Sequence, residues 1–148
     1  MRSLKVSALM QTEVIALDSD HSINLAEGVM RLSRIRHLPV VEGGRLVGLV
    51  THRDLVRAQA AYLAEPARGH PLAVPVRQVM QTNVWTVTPD TSVLEAAQIM
   101  LDHKFGCLPV VDGQRLVGIV TEADFLALLI RALESRRPEE DTDPGLGP

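Results

Sequence analysis

Two threonine–aspartate pairs carry the polar chemistry with the most telling placement in this chain. Thr51 and Asp54 lie in Gly48-Leu49-Val50-Thr51-His52-Arg53-Asp54, and Thr121 and Asp124 in Gly118-Ile119-Val120-Thr121-Glu122-Ala123-Asp124. In both, an apolar strand runs directly into a helix. Thr and Asp three apart at a helix start form a capping box, in which the hydroxyl accepts from a first-turn N–H and the carboxylate reaches back. Such a cap contributes roughly 0.5–2 kcal/mol and needs no ligand. The same geometry also suits a nucleotide. Free N–H groups and the positive end of the helix dipole favour a phosphate, and an Asp carboxylate can accept both hydroxyls of a ribose. Arg53 would add a charge-assisted bond in the first copy. The second copy has Ala123 there beside Glu122, which favours less negative charge.

The elements that position these pairs come from a gapless internal repeat. Val6 to Gln59 returns seventy residues later as Val76 to Leu129, identical at 21 of 54 aligned positions. Two copies are too few for a solenoid and imply two similar lobes with a cleft between them. Each copy reads as β-α-β-β-α. A short helical turn ends at Met10 or Met80, and a strand follows at Val14–Leu17 or Val84–Val87. An amphipathic helix then carries Ile23, Ala26, Val29, Met30 and Ile35, or Val93, Ala96, Ala97, Met100 and Leu101. A strand pair, Leu38–Val41 with Arg45–Val50, turns on Glu42-Gly43-Gly44, and its twin on Asp112-Gly113-Gln114. The closing helices start at Thr51 and Thr121. The expected organisation is repeat one at 6–64, a Pro-rich linker at 65–75, repeat two at 76–134 and a disordered tail at 135–148. Phe125–Leu133 is apolar on most faces, which fits either burial between the repeats or a homodimer surface.

Composition narrows the function. Of the 148 residues, 46% are hydrophobic and only 3% aromatic, so the core is aliphatic. The net charge of −3 argues against nucleic acid as a partner. No apolar run reaches the roughly 20 residues of a membrane span, and the start lacks the apolar stretch of a secretory signal. Cys107 is the only cysteine, which fits a reducing, cytoplasmic setting. The five histidines have no metal-ligand spacing, so no metal is expected. Arg31, Arg34, Arg36 and His37 read as a solvated face or a pocket rim. Asp20-His21-Ser22 resembles a catalytic triad only on paper, and no nucleophile elbow, P-loop or dinucleotide fingerprint occurs, so no enzyme is expected.

The repeat as a whole resembles the CBS domain, named for cystathionine β-synthase. The resemblance rests on Met80-Gln81-Thr82, Thr86-Val87-Thr88-Pro89-Asp90, Leu108-Pro109-Val110-Val111-Asp112 and Gly118-Ile119-Val120-Thr121-x-x-Asp124, with their counterparts in copy one. It covers residues 6 to 130 and implies an α+β fold, two repeats packed with pseudo-twofold symmetry as in stand-alone CBS-pair proteins. It also implies clefts that take AMP, ADP, ATP or S-adenosylmethionine as a regulatory ligand, with no required cofactor. By that resemblance one cleft combines Thr51, Arg53 and Asp54 with Asn83, Trp85, Phe105 and Gly106. Asp54 would meet ribose, Thr51 and Arg53 phosphate, and Trp85 or Phe105 adenine. The other combines Thr121 and Asp124 with Ile15, Ile35 and Arg36, with Glu13 and Glu122 nearby. The first is expected to be the better site for a charged nucleotide, although Trp85 could equally fill its pocket. The resulting expectation is a nucleotide sensor that signals to an effector protein through conformation or homodimer contacts. The alternative is a ligand-free dimerisation adaptor.

Overall fold

Serines start the first helix of each repeat. Ser22 accepts from the Leu25 N–H at 3.2 Å to open α1 (Ile23–Ser33), and Ser92 accepts from Glu95 N–H at 3.0 Å to open α3 (Val93–His103). The computed structural model describes residues 4–65 and 74–136. Repeat one adds β1 (Leu17–Asp18), β2 (His37–Glu42), β3 (Arg45–Thr51) and α2 (His52–Ala64). Repeat two adds β4 (Cys107–Asp112), β5 (Arg115–Thr121) and α4 (Glu122–Glu134). The chain is α+β, with one five-stranded sheet in the order β1-β2-β3-β5-β4. The hairpins meet at a single antiparallel pair, Arg45 opposite Arg115. Gly43 and Gly44 turn the first hairpin with φ of 57° and 82°, values that glycine alone adopts at little cost.

The repeats exchange their leading segments. Val6 is fully buried in the core of repeat two with Val87, Ala96, Met100, Leu108, Val110 and Val120. Val74 and Val76 lie in the core of repeat one with Ile23, Met30, Leu38, Val50 and Leu55. Backbone bonds fix the exchange: Val6 N–H donates to Thr91 at 2.8 Å and Val76 N–H to His21 at 2.7 Å. Further along, Gln11 exchanges two backbone bonds with Ile119, at 2.9 and 3.0 Å, and Gln81 two with Leu49, at 2.8 and 2.9 Å. These approaches explain two glycines. A Cβ on Gly48 would lie 2.4 Å from Met80 Sδ and 2.9 Å from the Gln81 carbonyl oxygen. One on Gly118 would lie 2.7 Å from Met10 Sδ and 3.1 Å from the Gln11 oxygen.

Three sequence expectations need correction. The strands expected at Val14–Leu17 and Val84–Val87 shrink to Leu17–Asp18 and to a single parallel bridge between Val87 and Val110. Ile35 is not helical, because Arg34 caps α1 in the left-handed conformation (φ 55°). The closing helix α4 is not buried between the repeats. It has no buried residue, and Leu126, Leu129, Ile130 and Leu133 are 52–60% exposed. The linker and tail fall mostly outside the described residues.

Val6→Ala and Val76→Ala each remove two methyl groups from the opposite repeat's core, a loss of about 2 kcal/mol. If the exchange unites the lobes, each variant lowers one shared thermal transition. Two separable transitions, with only one of them shifted, would contradict it.

Candidate functional site

Both threonine–aspartate pairs form the helix caps that their spacing predicts. Asp54 Oδ2 accepts from the Thr51 N–H at 2.9 Å and from the Thr51 hydroxyl at 3.0 Å, and the Asp54 N–H donates back to Thr51 Oγ1 at 3.2 Å. Asp124 Oδ2 accepts from the Thr121 N–H at 2.8 Å and its hydroxyl at 3.2 Å. Each carboxylate also meets a glutamine of the other leading segment. Gln11 Nε2 donates to Asp124 Oδ1 at 3.1 Å, and Gln81 Nε2 lies 3.5 Å from Asp54 Oδ1 and 3.2 Å from its Oδ2. Sequence reasoning missed these glutamines as site residues. Their signal was identity at equivalent positions, in Met10-Gln11-Thr12 and Met80-Gln81-Thr82.

The second cleft holds an open cavity of about 350 Å³. Ile15, Ile35, Val14 and Ile119 give it apolar wall, while Gln11, Arg34, Arg36, His37 and Thr121 bring polar groups. Four of the five residues expected at this cleft, Thr121, Ile15, Ile35 and Arg36, therefore line one space. Asp124 stands behind it, held by Thr121 and Gln11. Glu13, Glu122 and Ala123 complete the wall. Arg34 was read only as part of a basic cluster. Its positive φ, at a cap where glycine is usual, accompanies a side chain that reaches this cavity.

Gly106 departs from its expected place, because it lines the second cavity. A Cβ there would stand 2.6 and 2.7 Å from Cε1 and Nε2 of the His37 imidazole, so the ring can lie in the cleft only over a glycine. Burial holds the His37 pKa below its ordinary value of 6.5; the nearby Glu122 carboxylate opposes this and Arg36 reinforces it. Cys107, buried behind the two clefts with Leu49 and Ile119, has its thiol pushed up to about 12 by burial, which suits packing and not reactivity.

The first cleft is organised differently. Trp85 packs on His103 with ring centroids 4.4 Å apart, and His103 stacks on Phe105 at 5.1 Å. Trp85 and Phe105 are the counterparts of Ile15 and Ile35, and Trp85 stays 49% exposed. Arg53 and Asn83 are exposed beside it. In the triad-like tripeptide, Ser22 is a helix cap and His21 Nδ1 accepts from the Asp18 N–H at 3.0 Å. Among the described residues, no group of three or more His, Cys, Asp or Glu side chains is placed to hold a metal. None of the helices among them is long and apolar enough to cross a membrane.

Comparison with known proteins agrees with the repeat. The CBS domain profile matches residues 6–61 and 76–131. The CBS domain-containing protein YhcV of Bacillus subtilis is 34% identical over 119 residues, covering 80% of this chain and 81% of YhcV. The crystal structure of a candidate acetoin utilization protein (AcuB) from Vibrio cholerae superposes with a TM-score of 0.83 at 37% identity, covering 91% of this chain and 98% of that one. The CBS domain pair of protein MJ0100, solved with 5′-methylthioadenosine and S-adenosyl-L-methionine, matches with a TM-score of 0.72 at 31% identity, covering 86% and 97%.

The His37 imidazole gives a pH prediction. Its lowered pKa means that the folded chain binds fewer protons than the unfolded chain just below pH 6.5. Stability from this group is therefore complete above about pH 6.5 and is lost as pH falls toward the folded pKa. Thermal unfolding across pH 5–8 should show wild type losing stability relative to His37→Gln on acidification. A constant difference, or a His37 NMR titration midpoint at or above 6.5, would refute it.

Proposed function

We propose that this chain, which belongs to the CBS domain family, is a regulatory module that binds an adenosine-containing ligand between its two repeats. The second cleft is the primary site. The observation that carries this reading is the cavity of about 350 Å³ with apolar wall at Ile15 and Ile35 and polar groups at Thr121, Arg36 and Gln11. That volume lies within the range of small-molecule sites, about 300–1,000 Å³. Adenine fits between the isoleucines. Asp124, with Gln11 turned aside, takes the ribose diol, and Thr121 with Arg36 meets the group on the 5′ carbon. The MJ0100 pair, with two adenosine compounds bound, supports the ligand class.

Charge selects within that class. Arg34 and Arg36 are balanced by Glu13 and Glu122 around the cavity. The walls thus suit AMP or S-adenosylmethionine better than ATP, whose extra phosphates gain no matching positive charge. A ligand signals only through unequal affinity for two arrangements of the protein, and coupling of this kind is typically about 1–3 kcal/mol. The output passes to an effector protein through the angle between repeats or the contacts of a homodimer.

Self-association has its own observation. Leu126, Leu129, Ile130 and Leu133 follow helical spacing on the exposed side of α4, and α2 exposes Val56 and Leu63 at the equivalent positions. Two such surfaces meeting about a twofold axis would bury both stripes, which serves a ligand-gated dimer and a ligand-free adaptor equally well.

Isothermal titration calorimetry separates these readings. AMP and S-adenosylmethionine should bind more tightly than ATP. Asp124→Ala should weaken AMP roughly tenfold or more, as expected for loss of a charged hydrogen bond, and Asp54→Ala should have little effect. Equal loss in both variants, or none in Asp124→Ala, would sink the assignment to the second cleft. Absence of any heat would leave the adaptor reading. For the interface, sedimentation should find a dimer that Leu126→Glu with Leu133→Glu converts to a monomer. A monomeric wild type would contradict that contact.

A further inference from the structure

We propose that the hairpin end of the sheet is a second ligand site, which binds the oxyanion of a phosphate-bearing small molecule between Arg45 and Arg115. This site is independent of the adenosine clefts, because none of the threonine–aspartate caps takes part in it.

The central observation is a like-charged pair at the closest approach that a sheet permits. Leu46 N–H donates to the Gln114 carbonyl at 2.9 Å and Leu116 N–H to the Gly44 carbonyl at 3.1 Å. That pattern makes Arg45 and Arg115 a non-hydrogen-bonded antiparallel pair, the kind whose Cα atoms lie only about 4.5 Å apart. Like charges directly opposite on neighbouring strands destabilise a sheet. The sequence nevertheless keeps arginine in both copies, at Gly43-Gly44-Arg45 and Gly113-Gln114-Arg115.

The carboxylates beside them make no direct ion pair with the arginines. Glu42 and Asp112 are the neighbours of Arg45 and Arg115 in the same cross-strand row. Glu42, however, accepts from the Ser19 hydroxyl at 2.9 Å. Among the described residues, neither arginine has a carboxylate within ion-pair distance. Each guanidinium instead reaches the opposite hairpin. Arg45 donates to the Gln114 side-chain oxygen, and Arg115 Nη1 lies 2.9 Å from where a Cβ on Gly44 would stand.

A cavity of about 270 Å³ opens beside Arg45, and Arg115, its cross-strand partner, is not among the lining residues. Its polar side chains are those of Arg45, Thr82, Thr86 and Gln114, and its lining includes no acidic residue. The adenosine cleft, by contrast, carries Glu13 and Glu122. Guanidinium, hydroxyl and amide groups can all donate, and a guanidinium matches the two-oxygen face of a phosphate. An oxyanion there would reverse the repulsion between the arginines.

Nitrogen-15 NMR of the full chain, titrated with inorganic pyrophosphate at constant ionic strength, tests this proposal. Amides of Gly43–Leu46, Thr82–Thr86 and Gly113–Leu116 should shift saturably. Arg45→Gln and Arg115→Gln should each weaken the binding tenfold or more, and each should raise the thermal midpoint without pyrophosphate because the repulsion is gone. A parallel AMP titration distinguishes the source. Saturable shifts at the same amides identify phosphate esters as ligands, and shifts confined to the adenosine cleft identify the free anion; both outcomes support the site. Shifts that grow linearly with pyrophosphate, shifts elsewhere in the chain, or unchanged affinity in both variants would overturn it.

Discussion

The structure depends on one reciprocal arrangement: each repeat completes its core with the segment that precedes the other. Val6 fills repeat two and Val76 fills repeat one, each fully buried. A single valine is a modest contribution to a core, but the exchange also fixes four backbone bonds between the Gln11 and Gln81 segments and β5 and β3. Those bonds set the distance between lobes. They press Met10 and Met80 against Gly118 and Gly48, and they deliver Gln11 and Gln81 to the two caps. The clefts are what remains between lobes held at that distance. The motif Gly-h-h-Thr-x-x-Asp is therefore two devices joined end to end. Its glycine admits the other repeat, and its threonine and aspartate close a helix whose carboxylate also accepts from a glutamine of the other leading segment.

A symmetric frame then holds unequal contents. Ile15 in one cleft stands where Trp85 stands in the other, and the larger side chain joins His103 and Phe105 in a ring cluster. Gly106 replaces the counterpart of Arg36, and the missing side chain gives the His37 imidazole its place in the second cleft. Divergence at a handful of positions leaves the strands and caps intact while lining one cleft with isoleucines and placing aromatics at the equivalent positions of the other. The asymmetry also sets the charge. Arg53 stands at the first cap, whereas the second has Ala123 beside Glu122.

Much of this was legible in the residues. The repeat, the hairpins at Gly43-Gly44 and Gly113-Gln114, the capping boxes and four of the five second-cleft residues follow from spacing and from resemblance to the CBS domain. What escaped depends on contacts between distant segments. Val14–Ala16 has strand-like composition, but no neighbouring strand pairs with it, so β1 begins only at Leu17. Ile35 continues the helical period, yet the left-handed Arg34 ends the helix one residue earlier. An apolar helix such as α4 has the same composition whether it faces a core or solvent. The packing of Trp85 on His103, and of His103 on Phe105, likewise joins residues that spacing alone does not bring together.

The central claim is that the open cleft between Ile15 and Ala123 receives an adenosine ligand on the Thr121–Asp124 cap. A crystal structure of the chain grown with AMP tests it most directly. The account predicts electron density for AMP in the second cleft, with adenine between Ile15 and Ile35, the ribose hydroxyls on Asp124 and the phosphate toward Arg36. AMP seated only against Trp85 and Phe105, or an empty second cleft at saturating AMP, would contradict it.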